Sequence, residues 1–464
     1  MSTVDLPIPD DSTRARPGAG STRTTPRVDL GALEARTTAA TTEPDFLGCT
    51  AASWMALVAA HGPVMETEID GRPTTLLCTH AADLEAWKTP RNWIYGPPAS
   101  GGEFFRGEMG PLHVSQLDGD AHRRARKLTL PAFGAQPLLR DIDAVAACLE
   151  HGLADLAGTE TDLHGALGTL YTRALGVSQV KADLSPEQAR TLFEFEEAFI
   201  PAAALAPDVR ARWYGRNRYV ADKRASFELF ERIVDARLAG ARPGDSLDLV
   251  MDRAPPDGMA PLNREELVLA TYLLLVAGVG NIANLVSPML WALQTHPEWL
   301  TRLREELVDF RPDALGAGVR AFPVMRALIS ETERCFLPAA VLPKIAACDL
   351  ELLGHRIPAG RRVLHLHGLA HFEAERYPDP FAFRPERWLE DEPQRPNAYG
   401  GGVHLCLGMG VARLYLPLTL ALLVPRYDLH APAPPLRVPQ APGLDCSPLT
   451  TSFPCTLTPR ADHG

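Results

Sequence analysis

Tyr399-Gly400-Gly401-Gly402-Val403-His404-Leu405-Cys406-Leu407-Gly408 sets one cysteine at the end of a glycine-rich loop, immediately before the apolar segment Met409 to Leu423. The glycines let the backbone turn tightly and come close to a flat ligand. A helix over the apolar segment points its positive N-terminal end at the sulfur and favours the thiolate, the form that binds metal. A lone cysteine also serves as a small buried hydrophobe. The loop by itself leaves both readings standing.

Outward from the loop, three other segments carry charge at helical spacing. Glu331-Thr332-Glu333-Arg334 puts an acid and a base on one helical face. Phe381-Ala382-Phe383-Arg384-Pro385-Glu386-Arg387-Trp388 sets guanidinium groups among aromatic rings. Asp118-Gly119-Asp120-Ala121-His122-Arg123-Arg124-Ala125-Arg126 leads to Pro131-Ala132-Phe133, and His122 and Arg126 share a helix face. Taken singly, Glu331 and Arg334 read equally well as a solvated pair of little worth. Arg123, Arg124 and Lys127 read as a solvated basic face, which is also where a redox partner would dock.

Taken together, in this order and spacing, these segments resemble the cytochrome P-450 superfamily. Its haem-binding signature has an aromatic residue, a glycine, a basic residue, the cysteine and a final glycine. Here these positions hold Tyr399 in place of the usual phenylalanine, then Gly402, His404, Cys406 and Gly408. The resemblance implies a mainly α fold with small β-sheets, with haem between a distal central helix and the proximal cysteine loop. It implies haem b (iron protoporphyrin IX) with the Cys406 thiolate as axial iron ligand. Tyr399 would pack near the thiolate, where its phenol could add a hydrogen bond and shift the redox potential. His404 would bond a haem propionate, and His122 and Arg126 would grip propionates through charge-assisted bonds. Lys344, after Pro343, stands where the family often places another propionate-binding base, usually arginine. Glu331, Arg334 and Arg387 would form a buried structural triad, for which a planar guanidinium is well suited.

The apolar segment Glu265 to Gln294 corresponds to the distal helix and carries the main departure. Ala277-Gly278 sets the frame. Beyond it the family usually has an acid and then threonine, a pair that relays protons during dioxygen activation. This chain has Gly280 and Asn281. Gly280 has no side chain, and Asn281 hydrogen-bonds but does not titrate near neutrality. Ala277, Gly280 and Asn281 are therefore the distal catalytic positions. In one reading the chain is a monooxygenase that tailors a small, largely apolar secondary metabolite. Its protons then come through water, Asn281 or a substrate hydroxyl, and its electrons from NAD(P)H through a ferredoxin and ferredoxin reductase. In a second it isomerises or dehydrates an already oxidised substrate, as hydroperoxide-isomerising members with a distal asparagine do. In a third, peroxide is the oxidant. A fourth is a haem-binding protein that kept the fold and lost the chemistry.

Composition agrees with a globular enzyme. The chain has 464 residues, 46% of them hydrophobic, and a net charge of -11, which argues against general nucleic-acid affinity. No N-terminal run resembles a signal peptide or a membrane anchor, so a cytoplasmic protein is expected. The eight cysteines show no paired zinc-type spacing. Residues 1–42, rich in Thr, Pro, Arg and Ala, read as a mobile tail, and 43–464 as a single haem-thiolate catalytic domain. Val64 to Ile69, Asp70-Gly71 and Thr74 to Cys78 read as a hairpin, and Leu350 to Ile357 as a second with Gly354-His355 at its turn. Leu192 to Ile200 and Tyr219 to Leu238 read as amphipathic helices joined by a loop over Pro201 to Arg212. In the family such a pair covers the substrate pocket.

Overall fold

The structure, a computed structural model, describes residues 23–30, 45–46, 49–69, 71–95, 102–202, 207–255, 258–390, 395–438 and 449–461. Alternating side chains in Val64–Ile69 and Arg72–Leu77 build an antiparallel hairpin with Ile69 opposite Arg72. This is the first hairpin expected from the sequence; Asp70 lies outside the described residues. Arg362–His365 joins it in parallel, followed by Leu342–Ala346 and the short Trp93–Ile94, completing a five-stranded sheet. Val64, Leu77 and Val363 pack on one face, and Met65, Leu76 and Leu364 on the other. That is the period-two alternation of a strand buried on both sides.

Residues 23–30 depart from the mobile tail expected over 1–42. Val28 is buried, its N–H donates to the Glu66 carbonyl at 2.8 Å, and the Glu66 N–H donates to the Pro26 carbonyl at 2.8 Å. The open edge of a sheet offers unpaired backbone groups, and this segment satisfies those of Glu66. The second hairpin turns one residue earlier than expected, at Leu353 and Gly354, because Leu352 pairs with His355. Both turn residues have positive φ, as a tight two-residue hairpin requires.

The helical body is built around one large apolar cluster. Helices Pro186–Ala202 and Asn217–Leu238 form the expected pair. Their connection is not all loop, since it contains helix Pro207–Tyr214. Proline at the first helical position presets φ for a helix. The Trp213 indole N–H and the Tyr214 hydroxyl then anchor this helix to the carbonyls of Ala198 and Phe199, each at 2.9 Å.

The apolar stretch expected as one distal helix is two, Arg264–Leu275 and Val279–Thr295. The first opens on a capping box between Asn263 and Glu266. The break centres on Gly278, whose φ of 93° is left-handed and favours glycine. By length and composition 264–295 could cross a membrane, but most of it is buried inside the fold, as a core element is.

Candidate functional site

Helix Pro323–Cys335 carries Glu331 and Arg334, both fully buried. Arg334 donates to both Glu331 oxygens, at 3.0 and 2.8 Å, and to the carbonyls of His371 at 3.0 Å and Pro380 at 2.6 Å. Arg387 Nε lies 3.2 Å from the same carboxylate, and the Trp388 indole N–H donates to it at 2.9 Å. The Arg384 backbone N–H adds a further bond at 2.8 Å. The three residues predicted as a triad thus meet at one carboxylate, which binds segment 378–388 to the helix. An ion pair at this depth holds only because so many donors compensate for lost hydration.

The cysteine loop is closed by the Cys406 N–H donating to the Tyr399 carbonyl at 2.9 Å. Gly402 has a φ of 65°, and a Cβ on Gly401 would lie 2.9 Å from the Trp87 ring, so the loop is pressed against that indole. Helix Met409–Leu423 starts just beyond, with Gly408 at its N-cap. Cys406 is exposed as a residue, while protein surrounds its thiol on most sides. Burial pushes that thiol up, while the N–H groups of Gly408 and Met409 and the Arg126 guanidinium oppose the shift. The Tyr399 phenol does not turn to the sulfur, as expected, but donates to Glu333 at 2.6 Å. Burial raises the Glu333 carboxyl, and a carboxylate in that position needs a donor.

Near the loop, Tyr95, His404 and His122 form a stack with centroid spacings of 4.4 and 3.8 Å. Arg126 donates to the Leu405 carbonyl, and His404 Nε2 lies 3.8 Å from Asp118. His122 is pushed down to about 3 by burial first, then by His404 and Arg126. The Tyr95 hydroxyl and the Trp87 indole N–H are buried without hydrogen-bond partners. Orphaned donors beside crowded basic side chains suit a carboxylate-bearing ligand.

Lys344 adjoins that group, its ammonium 5.4 Å over the Tyr95 ring, but it is turned to another partner. It is fully buried, donates to His365 Nδ1 at 2.9 Å, and sits 3.8 Å over the Trp87 ring. His365 in turn donates through Nε2 to Asp83. Burial drives Asp83 up to about 7 and Lys344 down to about 7, while each charge opposes the other's shift. The chain from ammonium through neutral imidazole to carboxylate carries no net charge and props Trp87 beneath the loop. Arg124, expected on a solvated face, makes a bidentate pair with Glu266 at 2.8 and 2.9 Å, because that capping glutamate faces it across the helices. Arg123 and Lys127 are exposed as expected.

On the distal side, Asn281 is exposed although its helix neighbours are buried, and Ala277 is half-buried beside the break. Two consecutive acids of helix Pro186–Ala202 grip this break. Glu196 accepts from the Tyr272 hydroxyl at 2.7 Å and from the Gly278 N–H. Glu197 bonds His164 at 3.3 Å, and a Cβ on Gly280 would lie 2.2 Å from its Oε1. Sequence reasoning missed Trp87, Tyr95, Glu196 and Glu197. The only signal for the last two was an acid pair inside Phe193 to Ile200, an otherwise largely apolar run.

A family model for cytochrome P-450 matches residues 217–448. The chain is 25% identical over 411 residues to cyclooctat-9-en-7-ol 5-monooxygenase of Streptomyces melanosporofaciens, covering 83% of this chain and 88% of that protein. It is 33% identical over 197 residues to thromboxane-A synthase of Mus musculus, over 40% of this chain and 36% of the synthase. Among solved structures, a zebrafish cytochrome P-450 with progesterone matches at a TM-score of 0.74 and 20% identity, covering 88% of this chain and 99% of that one. Retinoic acid-bound cyanobacterial CYP120A1 matches at a TM-score of 0.72 and 19% identity, covering 88% and 94%. The solved structures share the fold over most of the chain; the family model covers half of it, including the proximal loop and both distal half-helices, and by that match this chain belongs to the cytochrome P-450 family.

Proposed function

We propose that the chain is a cytoplasmic haem-thiolate monooxygenase. It inserts one oxygen atom of O2 into a small, largely apolar secondary metabolite, using NAD(P)H electrons passed through a ferredoxin reductase and a ferredoxin. In balance, R–H, O2, two electrons and two protons give R–OH and water. The observation that carries the reading is Cys406 itself, set just before a helix in a loop braced by Trp87.

The side chains present fit haem b. Cys406 would hold the iron through its sulfur, and His122, Arg126 and His404 would meet the carboxylates, with the orphaned Tyr95 hydroxyl and Trp87 N–H as added donors. When bound, the haem supplies the reductive activation of dioxygen. The protein does the rest. Arg126 ties the loop through the Leu405 carbonyl. The Glu331 network fixes the helix and segment behind it. Asn281 orients water by hydrogen bonds without itself changing charge.

An apolar substrate is supported by the relative named for acting on cyclooctat-9-en-7-ol, a mostly hydrocarbon alcohol. A second reading, rearrangement or dehydration without reductant, is favoured by Gly280 and Asn281 and by a relative named a synthase rather than a monooxygenase. The test is a substrate screen by binding spectra, then turnover under labelled dioxygen with NADPH, ferredoxin and its reductase. Label in the product upholds monooxygenation. Product formed without reductant overturns it in favour of the second reading.

A further inference from the structure

A carboxylate from another element lies against the distal helix at Gly280. Helices Leu163–Gln179 and Pro186–Ala202 pack together, and both pack on Val279–Thr295. Gly168 makes this possible, since a Cβ there would lie 2.1 Å from the Phe193 ring. One turn before Gly168 stands His164 and one turn after Phe193 stands Glu197, on the same faces as Gly168 and Phe193. They therefore meet, with His164 Nε2 3.3 Å from Glu197 Oε2. The other oxygen, Oε1, fills the space where any side chain at position 280 would begin.

The surroundings suit proton transfer better than simple packing. His164 is 2% exposed, and its Nδ1 is buried without a hydrogen-bond partner. The Glu197 side chain keeps 24% of its surface accessible, so water reaches it. The exposed Asn281 follows Gly280 directly. The other acid at hand, Glu196, is engaged by Tyr272 and the Gly278 N–H. A structural salt link would gain from a permanent cation. Here the partner is an imidazole, which can both give and take a proton.

The geometry points to Glu197, positioned by His164, as the carboxylate that hands protons to the distal pocket in place of a side chain at position 280. This rests on the monooxygenase reading. One proton leaves Glu197 through water or Asn281 toward reduced oxygen, and the carboxylate takes another from solvent or from His164. Electrons come from NADPH, so that O2, two electrons and two protons give hydrogen peroxide when no substrate is present.

The haem-loaded protein, reduced by NADPH through ferredoxin and its reductase without added substrate, provides the assay. Glu197→Gln keeps shape and hydrogen bonding but has no acidic proton to transfer, and should slow NADPH oxidation by about a hundredfold. Gly280→Ala pushes the carboxylate aside and should act in the same direction. Gly280→Asp combined with Glu197→Ala returns a carboxylate to the vacated space and should recover most of the rate. An equilibrium readout accompanies these rates, the C–O stretching frequency of the reduced carbon monoxide complex. It should shift in Glu197→Gln and Gly280→Ala and return toward wild type in the double variant. Wild-type rate and frequency in Glu197→Gln would overturn the assignment while leaving the monooxygenase reading intact. A haem-loaded wild-type protein that consumes no oxygen even with a substrate from the binding screen present would sink both.

Discussion

Cys406 takes its chemistry from where it stands. The Gly408 and Met409 N–H groups and Arg126 counter the burial that raises its thiol, and a bound metal would complete the shift to thiolate. Cys406→Ser is expected to abolish the thiolate-specific band of the reduced carbon monoxide complex while leaving the chain folded; retention of that band would remove Cys406 from the iron. At this scale the sequence was most legible where a residue type and a spacing coincide. Glu331 and Arg334 meet on one helix face as their spacing suggests. Arg387 joins them, and the His122–Arg126 pair lies by the loop, as the family resemblance implies. Lys344 and Tyr399 show the limit. Each is in place along the chain, but its polar end follows the strongest buried partner, His365 or Glu333. Those partners come from other elements and no local pattern announces them.

Among elements, the divided distal helix matters most. Its hydrophobic run reads as continuous because periodicity does not register one left-handed residue, and Gly278 is only one of many glycines. What stabilises the break is Glu196, whose carboxyl is pushed up to about 8 by burial, against the Tyr272 and Gly278 donors. The native protein therefore holds a proton there that the unfolded chain releases once pH exceeds its ordinary value of 4.5. Stability from this group is fully present below that value, falls as pH rises toward about 8, and is level above it. The difference in unfolding free energy between wild type and Glu196→Gln should decline across this window, with a slope of at most about 1.4 kcal/mol per pH unit. Urea unfolding across that range measures it, and a difference independent of pH would count against the buried acid. Helix Pro207–Tyr214 was missed for a related reason, since its anchors are carbonyls on a preceding helix.

At the scale of the molecule, the Glu331 network joins helix Pro323–Cys335 to the segment that precedes the cysteine loop. Glu331→Ala leaves two arginines buried without their counter-charge, a loss of about 3–5 kcal/mol. The variant should unfold at lower urea and fail to retain haem; a stable, fully loaded variant would deny the network that role. The mainly α architecture was legible from motif order, yet the central sheet was not, because its pairings are remote. Strand Arg72–Leu77 lies parallel to Arg362–His365, nearly three hundred residues later. This has a bearing on biosynthesis. At about 5–20 residues per second, the first hairpin leaves the ribosome roughly 15–60 s before its neighbour exists. Until then one flank of an apolar ribbon stays open to passing chains. Residues 23–30, made earlier still, already pair with the opposite flank at Glu66, so nascent chains are less open to mispairing on that side.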